Sequence, residues 1–289
     1  MILNRAYKKP SAGICRTATN IFMNLKRRLE DIVQKIGMSF SYYFFSNKIL
    51  SYGWGKSLYL FLYSIFKRVF EADELKLMSQ NITKGTTVVD IGANVGLLSI
   101  YFSRCVGQNG RVIAIEPDPI ALDLMRHNVT KKQSSNIHIF PVACGRADGE
   151  TSFTQNLSNR ADNRVVADDV MIPHQKQISV PVRSFSSLAK ENESIFQNIS
   201  FIKMDVQGYE FSVIQGMLPW LQDTAQKPDI CIELWPYGLK RANSSIADLL
   251  GLLQDCGYDI EEQIKNRLLC NSDKDYYETT VFKSKSTLL

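Results

Sequence analysis

Apolar runs of strand length alternate with helical stretches along the chain from Glu71 onward. The first run, Thr86–Ile91, leads into a glycine-containing turn and then into a helical stretch that begins at Leu97. A second run, Arg111–Glu116, is followed by a Pro-Asp-Pro turn that suits the start of another helix. Because such a repeat covers the strands with helices on both faces, it predicts a doubly wound α/β fold with a mostly parallel, seven-stranded sheet.

The second half of the chain continues this alternation, with two departures. The polar stretch from Thr151 to Lys176 is predicted to be a long surface loop, which could close over a site or be a disordered insertion without consequence. The tail from Tyr258 to Lys283, including Arg267–Cys270, is predicted to be β-rich without an intervening helix and to form an antiparallel edge. Further strands are predicted at Ile137–Pro141, Phe201–Val206 and Ile230–Trp235, and helices at Glu210–Leu221 and Ser245–Cys256.

The amino-terminal residues 1–69 are predicted to be a helical and aromatic extension, and residues 70–289 the main domain. Within the extension, Phe22–Met38 has apolar residues at helical spacing together with the basic stretch Lys26–Arg28. This segment could lie on an anionic membrane surface or pack on the main domain, and we favour packing. The longest uncharged apolar piece, Ser57–Phe66, is about half of the roughly 20 residues that span a bilayer, so no transmembrane helix is expected.

Composition restricts the partners and the compartment. The chain has 289 residues, of which 45% are hydrophobic, and its 34 lysines and arginines exceed its 29 aspartates and glutamates only slightly. No long block of like charge is present, so nucleic acid binding is not expected. The six cysteines include no CxxC pair and are interpreted as reduced, buried thiols. We therefore expect a cytoplasmic protein, which could be peripheral to the inner face of the membrane.

The strongest chemical signal is the turn after the first strand, Asp90-Ile91-Gly92-Ala93-Asn94-Val95-Gly96, followed by Glu116 at the end of the next strand. In a doubly wound sheet this arrangement forms a nucleoside site at the carboxyl ends of the strands. Gly92 and Gly96 would permit a tight turn and close approach of a ligand, although a purely structural role for both is the alternative. Glu116 would accept hydrogen bonds from both ribose hydroxyls.

The same turn discriminates between two cofactors. Asp90 could meet the ammonium group of a methionine moiety, directly or through water, whereas a carboxylate before the turn would repel a pyrophosphate. The order G-x-N-x-G, with Asn94 in the middle, also differs from the G-x-G-x-x-G of dinucleotide sites. S-adenosyl-L-methionine is therefore the predicted cofactor, and an NAD-linked oxidoreductase is the weaker alternative. The predicted cofactor-binding residues are Asp90, Gly92, Asn94, Gly96, Glu116 and Asp205.

Several separated motifs resemble those of the FkbM family of methyltransferases. They are Val89–Gly96, Ile115–Pro117, Ile202–Glu210 with Ile214–Gly216, and Ile230–Glu233. The resemblance implies a Rossmann-like, S-adenosylmethionine-dependent O-methyltransferase that acts on a hydroxyl of a glycan, glycolipid or other polyhydroxylated metabolite. Gln207 stands where the family usually has glutamate. If that glutamate were the base, this chain would be a cofactor-binding module with weak or lost catalysis, which is the alternative function.

Transfer of a methyl group to a hydroxyl requires alignment of the two reactants and an acceptor for the hydroxyl proton. The candidate catalytic residues are Asp205, Glu210 and Glu233, all expected at the carboxyl edge of the sheet. Glu210 could serve instead to complement the dipole of its helix, and Glu233 is open to a similar doubt. Clustered carboxylates could also hold a divalent metal, but the spacing is not specific for one, so no metal is predicted.

Overall fold

The computed structural model describes residues 48–156, 163–165, 175–271 and 276–284. Its strands are β1 Thr87–Ile91, β2 Arg111–Ile115, β3 Ile137–Phe140, β4 Ala143–Gly145, β5 Gly149–Asn156, β6 Arg164–Val165, β7 Gln175–Ser184, β8 Ile199–Met204, β9 Asp229–Leu234, β10 Tyr258–Asp259 and β11 Glu278–Ser284. Its α-helices are α1 Gly53–Phe70, α2 Ala72–Ser79, α3 Leu97–Val106, α4 Pro119–Lys132, α5 Phe185–Glu191, α6 Glu210–Asp223, α7 Pro236–Arg241, α8 Ile246–Asp255 and α9 Glu262–Cys270. A short 3₁₀ helix, Ile49–Ser51, precedes α1.

The main sheet has seven strands in the order β10-β11-β9-β8-β1-β2-β3. The five strands from β9 to β3 are parallel, whereas β11 runs antiparallel to β9 and pairs with β10. This confirms the predicted fold class and its antiparallel edge. The chain moves from β1 towards β3 on one side and returns through β8 and β9 on the other. The carboxyl ends of β1 and β8 therefore flank the point where the strand order reverses, which is where ligands bind in such sheets.

The core lies between this sheet and the helices that cover it. All five residues of β1 are buried, and β8 and β9 are buried at nearly every position. Such strands contact apolar side chains on both faces, which explains their continuous apolar sequence. At one end of this core Phe185 packs edge-to-face against Phe196 and Trp220, with ring centroids 5.4 and 4.9 Å away. Packing of this kind holds the strand ends, and the site they carry, in fixed positions.

The prediction of a loop between Thr151 and Lys176 was wrong for the part that the structure describes. β5 pairs antiparallel with β7 along eight residues, and with β4 and β6 these strands form a second, four-stranded sheet. The apolar side chains of this sheet are few, with Phe153, Val180 and Val182 packed together. Polar residues fill many of the other positions, and some of them, such as Thr154 and Gln155, are buried, so the strand pattern was hidden.

The prediction of a β-rich tail without a helix was also wrong, because α9 occupies the region that includes Arg267–Cys270. Leu268 is the one residue of this helix that is buried, so the segment carries little of the apolar periodicity that marks a helix. At its end Cys270 is exposed, which corrects the expectation of uniformly buried thiols. Of the other described cysteines, Cys144, Cys231 and Cys256 are buried and Cys105 is partly buried.

Helix α1 packs on the main domain beside the glycine turn. Its Tyr59 and Leu60 form a buried cluster with Val95 of the turn and Leu124 of α4. A hydrogen bond of 2.9 Å between Ser57 Oγ and His127 Nε2 adds a polar contact to the same helix. In the described ranges we find no helix that is both long and apolar enough to cross a membrane. The division at residue 69/70 stays a prediction, and Phe22–Met38 lies outside the described residues.

Two helical glycines provide a matched test of this packing. A Cβ on Gly216 of α6 would lie 2.0 Å from the carbonyl oxygen of Gly145 in β4, whereas a Cβ on Gly251 of α8 would meet nothing within 4 Å. We expect Gly216→Ala to lower the free energy of unfolding by about 1–3 kcal/mol, because helix and strand must separate. Gly251→Ala should raise it by about 0.5–1 kcal/mol, because alanine favours the helix. Urea unfolding measures both, and a Gly216→Ala protein as stable as the wild type would contradict the packing.

Candidate active site

The turn after β1 is built from left-handed backbone. Gly92, Asn94 and Gly96 have φ angles of 79°, 50° and 75°. A Cβ on Gly92 would lie 1.9 Å from the carbonyl oxygen of Asp205, and one on Gly96 would lie 2.6 Å from the Met125 side chain. The two glycines therefore let the end of β1 approach the end of β8 and let α3 approach α4. The tight turn that the sequence predicted is present, and its close contacts are to the protein's own chain.

Glu116 is held immediately beside this turn. Its two carboxylate oxygens accept hydrogen bonds of 2.8 Å from the backbone N–H groups of Asn94 and Asp118. The residue is only 6% exposed, and burial raises the pKa of its carboxyl group to about 7. Each oxygen keeps further capacity to accept a hydrogen bond. The carboxylate is thus rigidly placed and has acceptor capacity left for a ligand.

A cavity opens between Glu116 and the end of β8. Its empty volume is about 590 Å³, counting the part open to solvent. Apolar side chains such as Val142 and Phe153 line it together with polar groups such as Asp205 and Gln207. A buried acceptor pair beside an apolar wall suits a ribose attached to a flat base, so these residues fit the predicted nucleoside cofactor.

The second sheet forms part of the wall of this cavity. Asp118, which caps α4, accepts hydrogen bonds from the side chains of Gln155 at 2.5 Å and Asn163 at 2.8 Å. These contacts fix the β5–β6 region next to Glu116, and Phe153 and Arg164 from it line the cavity. The described part of the segment that was predicted to be a loop therefore does lie at the site, but it forms the paired strands β5 and β6.

A buried lysine that sequence reasoning missed connects β1 with β8. The Lys203 Nζ atom lies 3.6 Å from Asp90 Oδ1, 3.4 Å from Asp205 Oδ2 and 3.4 Å from the Gly92 carbonyl oxygen. Asp90 is fully buried and also accepts a 2.6 Å hydrogen bond from Ser99 Oγ. Asp90 is thus engaged by groups of the protein, and its contact with a methionine ammonium stays a prediction. The sequence signal that could have revealed this buried charge was a lysine within the otherwise apolar run of β8.

Gln207 brings two of the predicted catalytic residues together. Its side-chain Nε2 donates hydrogen bonds to Asp205 Oδ1 at 2.7 Å and to Glu233 Oε2 at 2.9 Å. The residue has a φ of 54°, and the following Gly208 has a φ of 102°, so the turn after β8 is as sharply bent as the turn after β1. Left-handed backbone at a non-glycine residue is strained and is found preferentially at functional sites.

The pKa values of Asp205 and Glu233 are shifted in opposite directions. Burial alone would raise the pKa of Asp205, but the Lys203 ammonium and the hydrogen bond from Gln207 hold it below its usual value. Burial and the neighbouring negative charge of Asp205 raise the pKa of Glu233. At neutral pH Asp205 is therefore ionised beside a Glu233 that holds a proton more readily than an ordinary glutamate.

Glu210, the third predicted catalytic residue, lies beneath the turn. Its Oε1 accepts hydrogen bonds from the backbone N–H groups of Val206 at 3.2 Å and Gly208 at 3.1 Å. The side chain is 1% exposed, and burial raises its pKa to about 7. Glu210 therefore does not line the cavity as Asp205 and Gln207 do, and its contacts support the turn.

Helix α1 contributes two more side chains that the sequence did not single out. Burial raises the pKa of Tyr63, and the charges of Lys67, Glu71, Asp205 and Lys203 also act on it, which places this phenol near the strand ends. The Lys67 Nζ lies 2.6 Å from Glu71 Oε2 and 6.0 Å from the centre of the Tyr63 ring.

Among the described residues no group of three or more His, Cys, Asp or Glu side chains could hold a metal ion.

Comparisons with known proteins identify the family of the chain. A family model for the methyltransferase FkbM domain matches residues 90–260. The chain is 23% identical over 208 residues to the methyltransferase sdnD of Sordaria araneosa, covering 62% of this chain and 76% of that relative. It is 27% identical over 90 residues to a protein-L-isoaspartate O-methyltransferase of Caenorhabditis elegans, covering 31% of this chain and 40% of the relative.

Among solved structures, the chain resembles a methyltransferase FkbM from Methylobacillus flagellatus with a TM-score of 0.40 and 20% identity. That match covers 60% of this chain and 38% of the solved chain, so the protein spans well under half of that structure's length. The family model spans more than half of the 289 residues and excludes the nicotinamide alternative. The chain belongs to the FkbM methyltransferase family and is an S-adenosylmethionine-dependent methyltransferase.

Proposed function

We propose that this enzyme transfers the methyl group to a hydroxyl of a glycan or another polyhydroxylated acceptor, with Asp205 as the proton acceptor. The observation that carries the proposal is the Asp205–Gln207–Glu233 cluster at the strand ends, next to the cavity that Glu116 borders. A hydroxyl is a weak acid, so methylation at its oxygen needs a base within hydrogen-bond reach of the hydroxyl proton. Asp205, which lines the cavity, supplies such a base.

Glu116 and the turn after β1 would hold the cofactor. It would supply an electrophilic methyl group on a sulfonium, whose sulfur would keep the electron pair of the carbon–sulfur bond when the methyl group passes to the acceptor oxygen. The hydroxyl proton passes to Asp205, whose ionised form Lys203 stabilises. The hydrogen bond from Gln207 fixes the orientation of the Asp205 carboxylate, so that little reorganisation accompanies the transfer.

A polyhydroxylated acceptor also suits the number of polar groups at this edge. Glu233 and Gln207 lie next to Asp205, and the charge of Asp205 acts on Tyr63 and Lys67 of α1. Carboxylate and amide oxygens accept hydrogen bonds from hydroxyls, and an ammonium can donate to them. Several hydroxyls on one acceptor could therefore be held while a single one is oriented towards the base.

The ribose assignment predicts a pH-dependent affinity. Glu116 must be ionised to accept hydrogen bonds from a ribose, and its pKa is raised to about 7. The affinity for S-adenosylhomocysteine should therefore rise as the pH increases through 7, by about tenfold between pH 6 and pH 8. Glu116→Gln should bind about 10–100-fold more weakly at pH 8 and lose this dependence, because one oxygen becomes a donor facing a backbone N–H.

Calorimetric titration at several pH values measures this, with NAD in parallel as a ligand that should not bind. Glu210→Gln is the matched control, because the pKa of Glu210 is also raised to about 7 but its carboxylate supports a turn. The affinity of the Glu210→Gln protein for S-adenosylhomocysteine should still rise with pH as it does in the wild type. An unchanged affinity in Glu116→Ala would contradict the ribose role.

The base assignment predicts a loss of turnover without a loss of cofactor. Asp205→Asn should lower kcat by about 10²–10⁴-fold, the usual contribution of a general base. S-adenosylhomocysteine binding should change much less, and Glu193→Gln, at an exposed site, should have no effect. The assay follows formation of S-adenosylhomocysteine with a panel of sugars, and mass spectrometry identifies the methylated atom. Full turnover by Asp205→Asn, or methylation at nitrogen or carbon instead of oxygen, would contradict the proposal.

Substitution of Gln207 tests whether the protein is an active enzyme or a cofactor-binding module with lost catalysis. In the structure its amide donates to both carboxylates, and glutamate would replace these donors with a third negative group. We therefore expect Gln207→Glu to turn over no faster than the wild type in the same assay. A marked gain in turnover would show that the natural glutamine impairs catalysis and would favour the module.

A further inference from the structure

Helix α1 presents an apolar stripe to the surface. Five large apolar side chains lie on one face of it, spaced by four, three, four and four residues, and within the described residues nothing covers them. They are Trp54, Leu58, Phe61, Ile65 and Val69, with exposed fractions of 63, 41, 61, 44 and 62%. A contiguous apolar surface of this kind on a soluble domain marks a place where something else binds.

The charge of the chain indicates what binds there. Residues 1–70 contain twelve lysines and arginines against two aspartates and glutamates, whereas residues 71–289 contain 22 against 27. All of the positive excess therefore lies in and before α1. Helix α1 itself has no acidic residue; its Lys56 and Lys67 are paired with Asp123 and Glu71, and Arg68 is exposed beside Val69 of the stripe. An apolar stripe that follows a basic segment of the chain is the pattern of a helix that lies in the interface of an anionic membrane.

We propose that α1 docks this methyltransferase on an anionic membrane surface, with Phe61 and Ile65 inserted among the lipid chains. The inward face of the same helix, including Tyr59 and Leu60, is already buried against α4 and the glycine turn. The helix can therefore lie flat on the bilayer without leaving the main domain. Two other occupants would suit the apolar stripe alone, namely residues 1–47 of this chain and a second copy. The segregated positive charge favours lipid over both, because like charges would meet in either case.

The test uses the full chain and vesicles of two compositions. Wild-type protein is sedimented with phosphatidylcholine vesicles and with vesicles containing roughly one third phosphatidylglycerol, at low and high ionic strength. We expect binding to the anionic vesicles only, weakened by salt. The double variant Phe61→Ser with Ile65→Ser should bind at least about tenfold more weakly. The matched control is Tyr237→Ser with Leu269→Ser, two exposed apolar residues elsewhere, and it should bind like the wild type.

A second measurement needs no variant. Trp54 is largely exposed and Trp235 is buried, so insertion of α1 should shift tryptophan emission to the blue when anionic vesicles are added. Absence of both sedimentation and the shift would overturn the proposal. Retained binding by the Phe61→Ser, Ile65→Ser protein would also overturn it, because the basic residues would then suffice. A change of that variant's mass in light scattering without vesicles would assign the stripe to a second copy. None of these readouts depends on methyl transfer.

Discussion

The buried ammonium of Lys203 is the interaction on which the site depends. It lies between Asp90 at the end of β1 and Asp205 just after β8, at the point where the strand order reverses. Asp90 and Lys203 are buried and Asp205 is partly exposed, so removal of either buried partner would leave an uncompensated buried charge at a cost of about 3–5 kcal/mol. The two turns that frame the cavity are therefore held in register by charge as well as by the hydrogen bonds of the sheet. Gly92 completes the join, because only a residue without a side chain can meet the carbonyl of Asp205.

Desolvation then decides the chemistry of each carboxyl group at this edge. Asp205 has a cation at 3.4 Å and stays ionised, whereas burial raises the pKa of Glu116, because the hydrogen bonds from two backbone N–H groups offset only part of the cost of desolvation. Burial also raises the pKa of Glu233, and the negative charge of Asp205 raises it further. Carboxyl groups of similar intrinsic acidity thus acquire different roles according to what faces them. A pair of titratable groups pushed apart in this way is the usual mark of an acid–base site.

The sequence predicted the parts of this arrangement that depend on local pattern. The parallel strands are continuous apolar runs, and the turn from Asp90 to Gly96 carries glycines where left-handed backbone is required, so both could be read directly. The second sheet was missed because its strands contain many polar residues, some of them buried, and α9 because it buries little. Lys203 and Tyr63 were missed for another reason. Their importance arises from residues far away in the chain, and no spacing rule reports an electrostatic interaction between α1 and the end of β8.

Helix α1 relates the two proposals through its geometry. Successive residues of a helix are rotated by about 100°, so Phe61 and Tyr63 point to nearly opposite sides. Phe61 is exposed on the outer stripe, whereas Tyr63 packs inward with the cluster of Tyr59 and Leu60, where the charges of Asp205 and Lys203 act on it. If the outer face rests on lipid, the inner face of the same helix is turned towards the main domain. An acceptor carried on a lipid would then be delivered to the side of the molecule where the enzyme docks, whereas a freely soluble acceptor would gain nothing from docking. The polarity of a single helix therefore bears on which class of hydroxyl compound meets the base.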